Sequence, residues 1–374
     1  MKTTENLYTK ERSTILKGIA ILLMVWHHTF RATGFFEDYI ISFDPFAMDQ
    51  VVLFSQMVKF CVAVFVFVSG YGLYFAVTKC REEDTKYSVW TLSRLIELII
   101  SFAFVFLICF AVIGIFDPAE LFDTYGSKGT TTAILYFLLN LLGLQSFFNT
   151  PNLNGAWWYI SAAIFFIVVA PIAAGFIRKF GAVIAVGMVV MLPRIFTPII
   201  REENSIYKYV LIYIIGMIMA REDLMNRWLA YCPTTNKKLG KLIKLVGLSV
   251  LFAIFYKVGT IVTPTQFWEI NYTLLPLLSV LIGAEFIAVI PGIKQIFYFI
   301  GFYSLEIYLV HNYSRIYFKD FLYGSGYFLL SPLWMLLFGL AAGILLYYAK
   351  RILQIPRLID FLQKKIQNST LLSR

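Results

Sequence analysis

Eleven apolar stretches, most of them as long as a bilayer is thick, dominate this chain. They run at 14–33, 51–77, 91–116, 133–148, 156–177, 181–198, 206–220, 242–263, 270–291, 296–316 and 327–349. A helix needs about 20 apolar residues to cross ~30 Å of hydrocarbon. Inside hydrocarbon the backbone must satisfy its own hydrogen bonds, which helices do within one segment. Of 374 residues, 59% are hydrophobic and 14% charged, against about 25% charged in a soluble chain. The expected fold class is therefore an all-α polytopic membrane protein. A single membrane domain is expected over 1–374, with short tails at 1–13 and 350–374. No polar stretch is long enough for a core of its own.

The net charge of +10 does not point to nucleic acid. The basic residues cluster in short loops between apolar segments, the pattern of loops facing anionic lipid in the cytoplasm. Cys61, Cys80, Cys109 and Cys232 show no paired spacing, so free thiols and no metal site are expected. The first segment follows a basic N-terminus, but it lacks a clear small-residue cleavage site and many spans follow it. A retained anchor is expected rather than a signal peptide.

Loop charges set the topology. Lys2, Lys10 and Arg12 precede the first segment, and Glu37, Asp38, Asp44 and Asp49 follow it. Lys79, Arg81 and Lys86 come next, then Asp117, Glu120 and Asp123. If 133–148 crossed, the basic group Arg221, Arg227, Lys237, Lys238, Lys241 and Lys244 would face outward, against the lysine and arginine bias of inner loops. That segment is also short and carries Asn140 and Gln145. It reads as re-entrant or as lying on the outer face. About ten transmembrane helices remain, with both termini cytoplasmic.

Ionisable groups at membrane depth are functional candidates. Lys17 and His28 are eleven residues apart in the first segment, about three helical turns and ~16 Å, so they share a face. Lys17 falls near the cytoplasmic surface and His28 beyond the midplane. His27 points roughly 80° away. His311 lies at a similar depth in the tenth crossing, with Ser304 and Tyr308 close to its face and Glu306 off it. Histidine suits a general base near neutral pH.

These residues carry a resemblance. Lys17-Gly-Ile-Ala-Ile-Leu-Leu-Met-Val-Trp-His-His28 resembles the opening helix of the bacterial membrane acyltransferase type 3 family, in which a basic residue, usually arginine, is followed by ten residues and then histidine. Phe65-Val-Phe-Val-Ser-Gly-Tyr71 is similar to that family's second helix, and Arg94 stands where it carries arginines. Trp157-Trp-Tyr-Ile-Ser161 and Ser304-Leu-Glu-Ile-Tyr-Leu-Val-His311 are similar to two later elements, in the family's order. Lysine at position 17 keeps the charge but loses the bidentate fork of arginine.

The resemblance implies a membrane O-acyltransferase, an O-acetyltransferase by preference. It would move an acyl group from cytoplasmic acyl-CoA to a hydroxyl of an extracytoplasmic or lipid-linked glycan, in the plasma membrane of a bacterial cell. His28 is then the expected general base, and His311 its expected aid. Lys17, Arg94 and Arg12 are expected at the phosphates of acetyl-CoA, a co-substrate rather than a resident cofactor. Ser69, Trp158, Ser304, Glu306 and Tyr308 are expected around substrate or behind the histidines. All of this presumes that Lys17, His28 and His311 open onto one cavity. Membrane lipid is a further expected partner; an oligomer or an envelope-biosynthesis partner stays open.

Plainer readings stand beside these. His27 suits a simple bond to a neighbouring carbonyl. Lys17 could snorkel to the interface, Arg94 pair with Glu97 on the helix surface, and Trp157 and Trp158 belong to an aromatic belt. Glu285 and Glu306, in apolar helices, must be buried, paired or protonated. A carrier or flippase for a lipid-linked sugar or small anion would also place charges in the membrane, although the paired repeats of many carriers are missing.

Overall fold

The structure, a computed structural model, describes residues 6–195, 206–261 and 267–368. The ends of two expected segments, 196–198 and 262–263, lie outside the described residues. In chain order the helices are α1 (Lys10–Phe30), α2 (Met48–Met57), α3 (Cys61–Glu82), α4 (Tyr87–Phe116), α5 (Pro118–Tyr125), α6 (Thr130–Leu141), α7 (Trp158–Ile195) and α8 (Val210–Arg221). There follow α9 (Leu224–Ala230), α10 (Lys237–Ile261), α11 (Leu275–Glu285), α12 (Ile293–Phe302), α13 (Ser304–Tyr317), α14 (Lys319–Tyr323), α15 (Leu330–Ile352) and α16 (Ile355–Gln367). Among the described residues there is no β-strand, only an isolated bridge between Ser42 and Tyr327.

Seven helical stretches among the described residues are long and apolar enough to cross a membrane: Lys10–Phe30, Met48–Glu82, Tyr87–Phe116, Gly155–Leu192, Lys237–Ile261, Ile270–Val289 and Leu330–Ile352. α12 and α13 add an eighth if the bent pair is one span. The chain is thus an all-helical, multi-pass membrane protein, and the sequence expectation of about ten spans differs from it at identifiable places. The expected 296–316 crossing is broken at Tyr303, between α12 and α13. The expected boundary between 156–177 and 181–198 stands: α7 is two helices that meet at a kink at Gly181, whose φ of +83° is non-helical. The expected 206–220 segment is a short 3-10 turn followed by the 12 residues of α8, about 18 Å of rise.

The 133–148 stretch does not make a spanning helix. α6 covers 12 residues, and the chain then turns through Gly143 at φ +72°. Asn140 and Gln145, the polar residues that set this segment apart in the sequence, hold that turn. Asn140 Nδ2 donates to the carbonyls of Tyr136 (2.9 Å) and Pro151 (2.8 Å). Gln145 Nε2 donates to the carbonyl of Trp157 at 3.2 Å.

The chain clusters into two compact units. The first comprises Met1–Phe75, Ile172–Ser304 and Phe318–Leu336. Thr9 caps α1 by accepting from the Arg12 backbone N–H at 3.4 Å, which satisfies one of the donors orphaned at a helix start. α12 crosses α1 where both backbones are bare: a Cβ on Gly18 would overlap the Phe297 carbonyl, and one on Gly301 would overlap the Thr14 carbonyl. Small residues permit this approach, and it is how helices associate where no hydrophobic force drives them together. α3 and α8 meet in the same way through Gly70 and Gly216. Gly72, by contrast, has open space where its Cβ would stand.

At the C-terminal end of α1 an aromatic cap forms from Phe30, Phe36, Phe43, Tyr323 and Phe328. The Tyr323 hydroxyl donates to the Thr29 carbonyl at 2.8 Å. Tyr39 donates to Asp320, and Lys319 pairs with Asp38 at 3.2 Å. Donation to that carboxylate pushes the Tyr39 phenol up to about 12.

The second unit comprises Ala76–Pro171, Leu305–Tyr317 and Leu337–Arg374. Here α13 lies against the 3-10 turn Gly155–Trp157 on one side and α15 on another. Gly339 and Gly343 of α15 bring its backbone up to Ile307, His311 and Glu306. α16 packs along α4, with Gln363 Nε2 donating to the Ser93 carbonyl at 3.0 Å.

The glycine crossings make a stability prediction. Gly301→Val should reduce stability by about 2 kcal/mol or more, because the overlap falls on backbone rather than on a flexible side chain. Gly72→Ala should leave stability unchanged. Thermal unfolding of the detergent-purified proteins reads both.

Candidate active site

α1 carries its polar groups along one continuous helix, as the Lys17–His28 spacing requires. Lys17 is half-buried beside the Gly18 crossing and has no ion pair or hydrogen bond among the described residues. Arg12 also contributes an enclosed Nη1 with no hydrogen-bond partner among the described residues. Other buried lysines are matched. Lys244 pairs with Glu285, donates to the Trp228 carbonyl at 2.8 Å and stands 4.3 Å from the Trp228 ring centre. Lys350 pairs with Glu306 at 2.9 Å.

The two adjacent histidines have different surroundings. His27 is buried, and its Nδ1 lies 2.7 Å from the Ser55 carbonyl. A carbonyl only accepts, so Nδ1 carries the proton and Nε2 keeps its lone pair. Ser55 Oγ in turn donates to the Trp26 carbonyl at 2.8 Å, so α1 and α2 are stitched in both directions. His28 is half-buried and stands edge-on to His27, with ring centres 5.0 Å apart. Ser69 is half-buried next to Gly70 on α3, and Ser304 is buried just after the Tyr303 break.

In the second unit His311 is 0% exposed. Its Nδ1 lies 2.7 Å from the Tyr308 carbonyl, which sets the same Nδ1–H tautomer and leaves a lone pair on Nε2. The helix around it is pinned from the 154–157 turn. Tyr308 donates its hydroxyl to the Ala156 carbonyl at 2.5 Å. Trp157 Nε1 and Asn154 Nδ2 both donate to the Leu309 carbonyl, at 2.9 and 3.4 Å. Asn312 Nδ2 donates to Asn154 Oδ1 at 3.2 Å, and Asn312 Oδ1 accepts from Arg315 Nη2 at 2.7 Å. Buried polar groups of this kind are costly unless satisfied, and here their bonds fix the register of α13 against the turn.

The chain is similar over most of its length to one described family: the model of the type 3 acyltransferase domain matches residues 12–351. The protein belongs to the acyltransferase type 3 family. No curated protein and no solved structure matches it. A membrane acyltransferase is the activity that this family membership supports.

Within the acyltransferase, the expected site residues separate by surroundings. Tyr308 and His311 stand in one hydrogen-bonded cluster with the Trp157 turn. Glu306 faces Lys350, in keeping with its place off the His311 face. Trp158 is half-buried with its ring against Tyr159, whereas Trp157 is fully buried. Arg94 is exposed and pairs with Glu97 at 3.2 Å, the plainer of its two readings. Asn154, Asn312, Arg315 and Lys350 were not singled out by the sequence. Asn154 looks like an ordinary loop asparagine before Gly155, and Lys350 like one more basic residue of a cytoplasmic tail. Only the pairing of Glu306 with a cation was foreseeable, from its place in an apolar helix.

The Glu306–Lys350 pair predicts an asymmetry. Glu306→Leu or Lys350→Met alone strands the other member in an apolar site and should cost about 3–5 kcal/mol. The double variant Glu306→Leu/Lys350→Met should recover most of that loss. Thermal unfolding in detergent, run on all four proteins, gives the coupling directly.

Proposed function

We propose that the protein is an O-acyltransferase that moves an acyl group, acetyl by preference, from acyl-CoA to a hydroxyl of an extracytoplasmic or lipid-linked glycan. The observation that carries the reading is the pair of α1 cations among the described residues: Lys17, about three turns below His28, with no acidic partner, and Arg12, more than four turns below it, with an unbonded Nη1. Cations so placed suit the phosphates of a coenzyme, and Arg94 would add a third once turned from Glu97. With about ten crossings and both termini in the cytoplasm, the start of α1 faces the side of the plasma membrane that holds acyl-CoA.

His28 takes the proton of the acceptor hydroxyl. The oxygen attacks the thioester carbonyl, the C–S bond breaks, and the proton passes to the departing thiolate. His311, its ring set by the Nδ1 bond to the Tyr308 carbonyl, aids in orienting a substrate hydroxyl. Tyr308 and Ser304 support His311, Glu306 anchors α13, and Ser69 and Trp158 stand beside substrate.

Membranes containing the protein, given labelled acetyl-CoA and envelope glycan, should transfer label to the glycan. His28→Ala should lower transfer by about 10²-fold or more while the protein stays in the membrane. Lys17→Arg should keep activity and Lys17→Glu lose it. Undiminished transfer by His28→Ala would end the role given to that residue, and absence of transfer by the unaltered protein would end the reading as a whole.

A further inference from the structure

α16 is not explained by acyl transfer. It begins three residues after α15, a stretch apolar enough to cross a membrane, ends. The chain turns between them at Gln354, whose φ of +55° is left-handed and whose Oε1 accepts from Arg357 Nη1 at 2.9 Å. Pro356 then starts the helix. The helix is therefore held close to the level at which α15 leaves hydrocarbon.

Its faces have different occupants. Ile355, Ile359, Leu362 and Ile366 are half-buried on the side packed along α4, where Gln363 holds the Ser93 carbonyl. A second strip stays outside that contact: Leu358 is 46% exposed and Phe361 63%. Beside the strip stand Arg357, Lys364 and Lys365, with Asp360 the lone acid of the helix. Ile352 and Leu353, at the turn, are exposed too. Apolar side chains flanked by lysine and arginine, on a helix tied to the end of a span, match the requirements of a helix lying in a headgroup layer.

We infer that α16 is a docking surface for anionic lipid. Leu358 and Phe361 enter the acyl boundary, and Arg357, Lys364 and Lys365 meet headgroup phosphates of the adjoining leaflet. The excess of basic over acidic groups selects anionic over zwitterionic lipid. Because Gln363 holds Ser93, a lipid-bound α16 also braces the start of α4.

Hydrogen–deuterium exchange of the full chain in nanodiscs tests this. Exchange over 355–367 should be roughly fivefold slower in phosphatidylcholine containing about 30% phosphatidylglycerol than in phosphatidylcholine alone. The difference should vanish in K364E/K365E and shrink in Phe361→Ser, with α15 exchanging normally because only exposed positions change. Equal exchange in the two lipids overturns the inference. So does a difference that survives K364E/K365E, or protection that rises with protein concentration because a second copy covers the face.

Discussion

A charge held among apolar helices must find an opposite charge, a ring of hydrogen-bond partners or a ligand, and this molecule is organised around that demand. Lys244 meets Glu285 and the Trp228 ring, and Lys350 meets Glu306. The first pair ties the consecutive helices α10 and α11, and the second ties α13 to α15. Pairs of this kind fix which helices are neighbours more than they add net stability. Lys17 stands apart from that pattern, with no acid facing it among the described residues. The contrast makes the start of α1 the place to look for a bound anion.

The histidines show the same economy with hydrogen bonds. His27 and His311 each give Nδ1–H to a main-chain carbonyl, so neither ring is free to exchange its nitrogens. In His27 the bond joins α1 to α2. In His311 it lies within α13, while the surrounding Asn154, Trp157, Tyr308 and Asn312 bonds hold that helix to a turn. A rigid backbone with one nitrogen directed by the other is what positioning a proton acceptor requires.

Much of the fold was legible because hydropathy and the lysine and arginine bias are strong signals. The short 133–148 segment was set apart by its length, Asn140 and Gln145, and the same two side chains hold its turn. The number of spans was less legible. Gly181 reads as a boundary in sequence and is the kink at which the two halves of α7 meet, but nothing about Tyr303 marks a break in an apolar run. At the site, the Lys17–His28 spacing needed only a continuous helix, and α1 supplies one. The bonds that pin the helix carrying His311, from Trp157 to Leu309 and from Tyr308 to Ala156, join residues 152 apart along the chain, and no local pattern announces contacts of that range.

The crossing of α1 by α12 has a consequence for biosynthesis. α1 emerges before the other helices described above and is the least apolar of the seven spanning stretches, with Arg12, Lys17, His27 and His28 on one short rod. Its glycine-lined neighbour, and Tyr323 and Phe328 of the aromatic cap over its far end, come from the last third of the chain. For most of translation the helix must wait in the bilayer without them. An insertion machinery that shelters early, incompletely apolar helices until late ones arrive is therefore part of what this protein needs in order to exist at all.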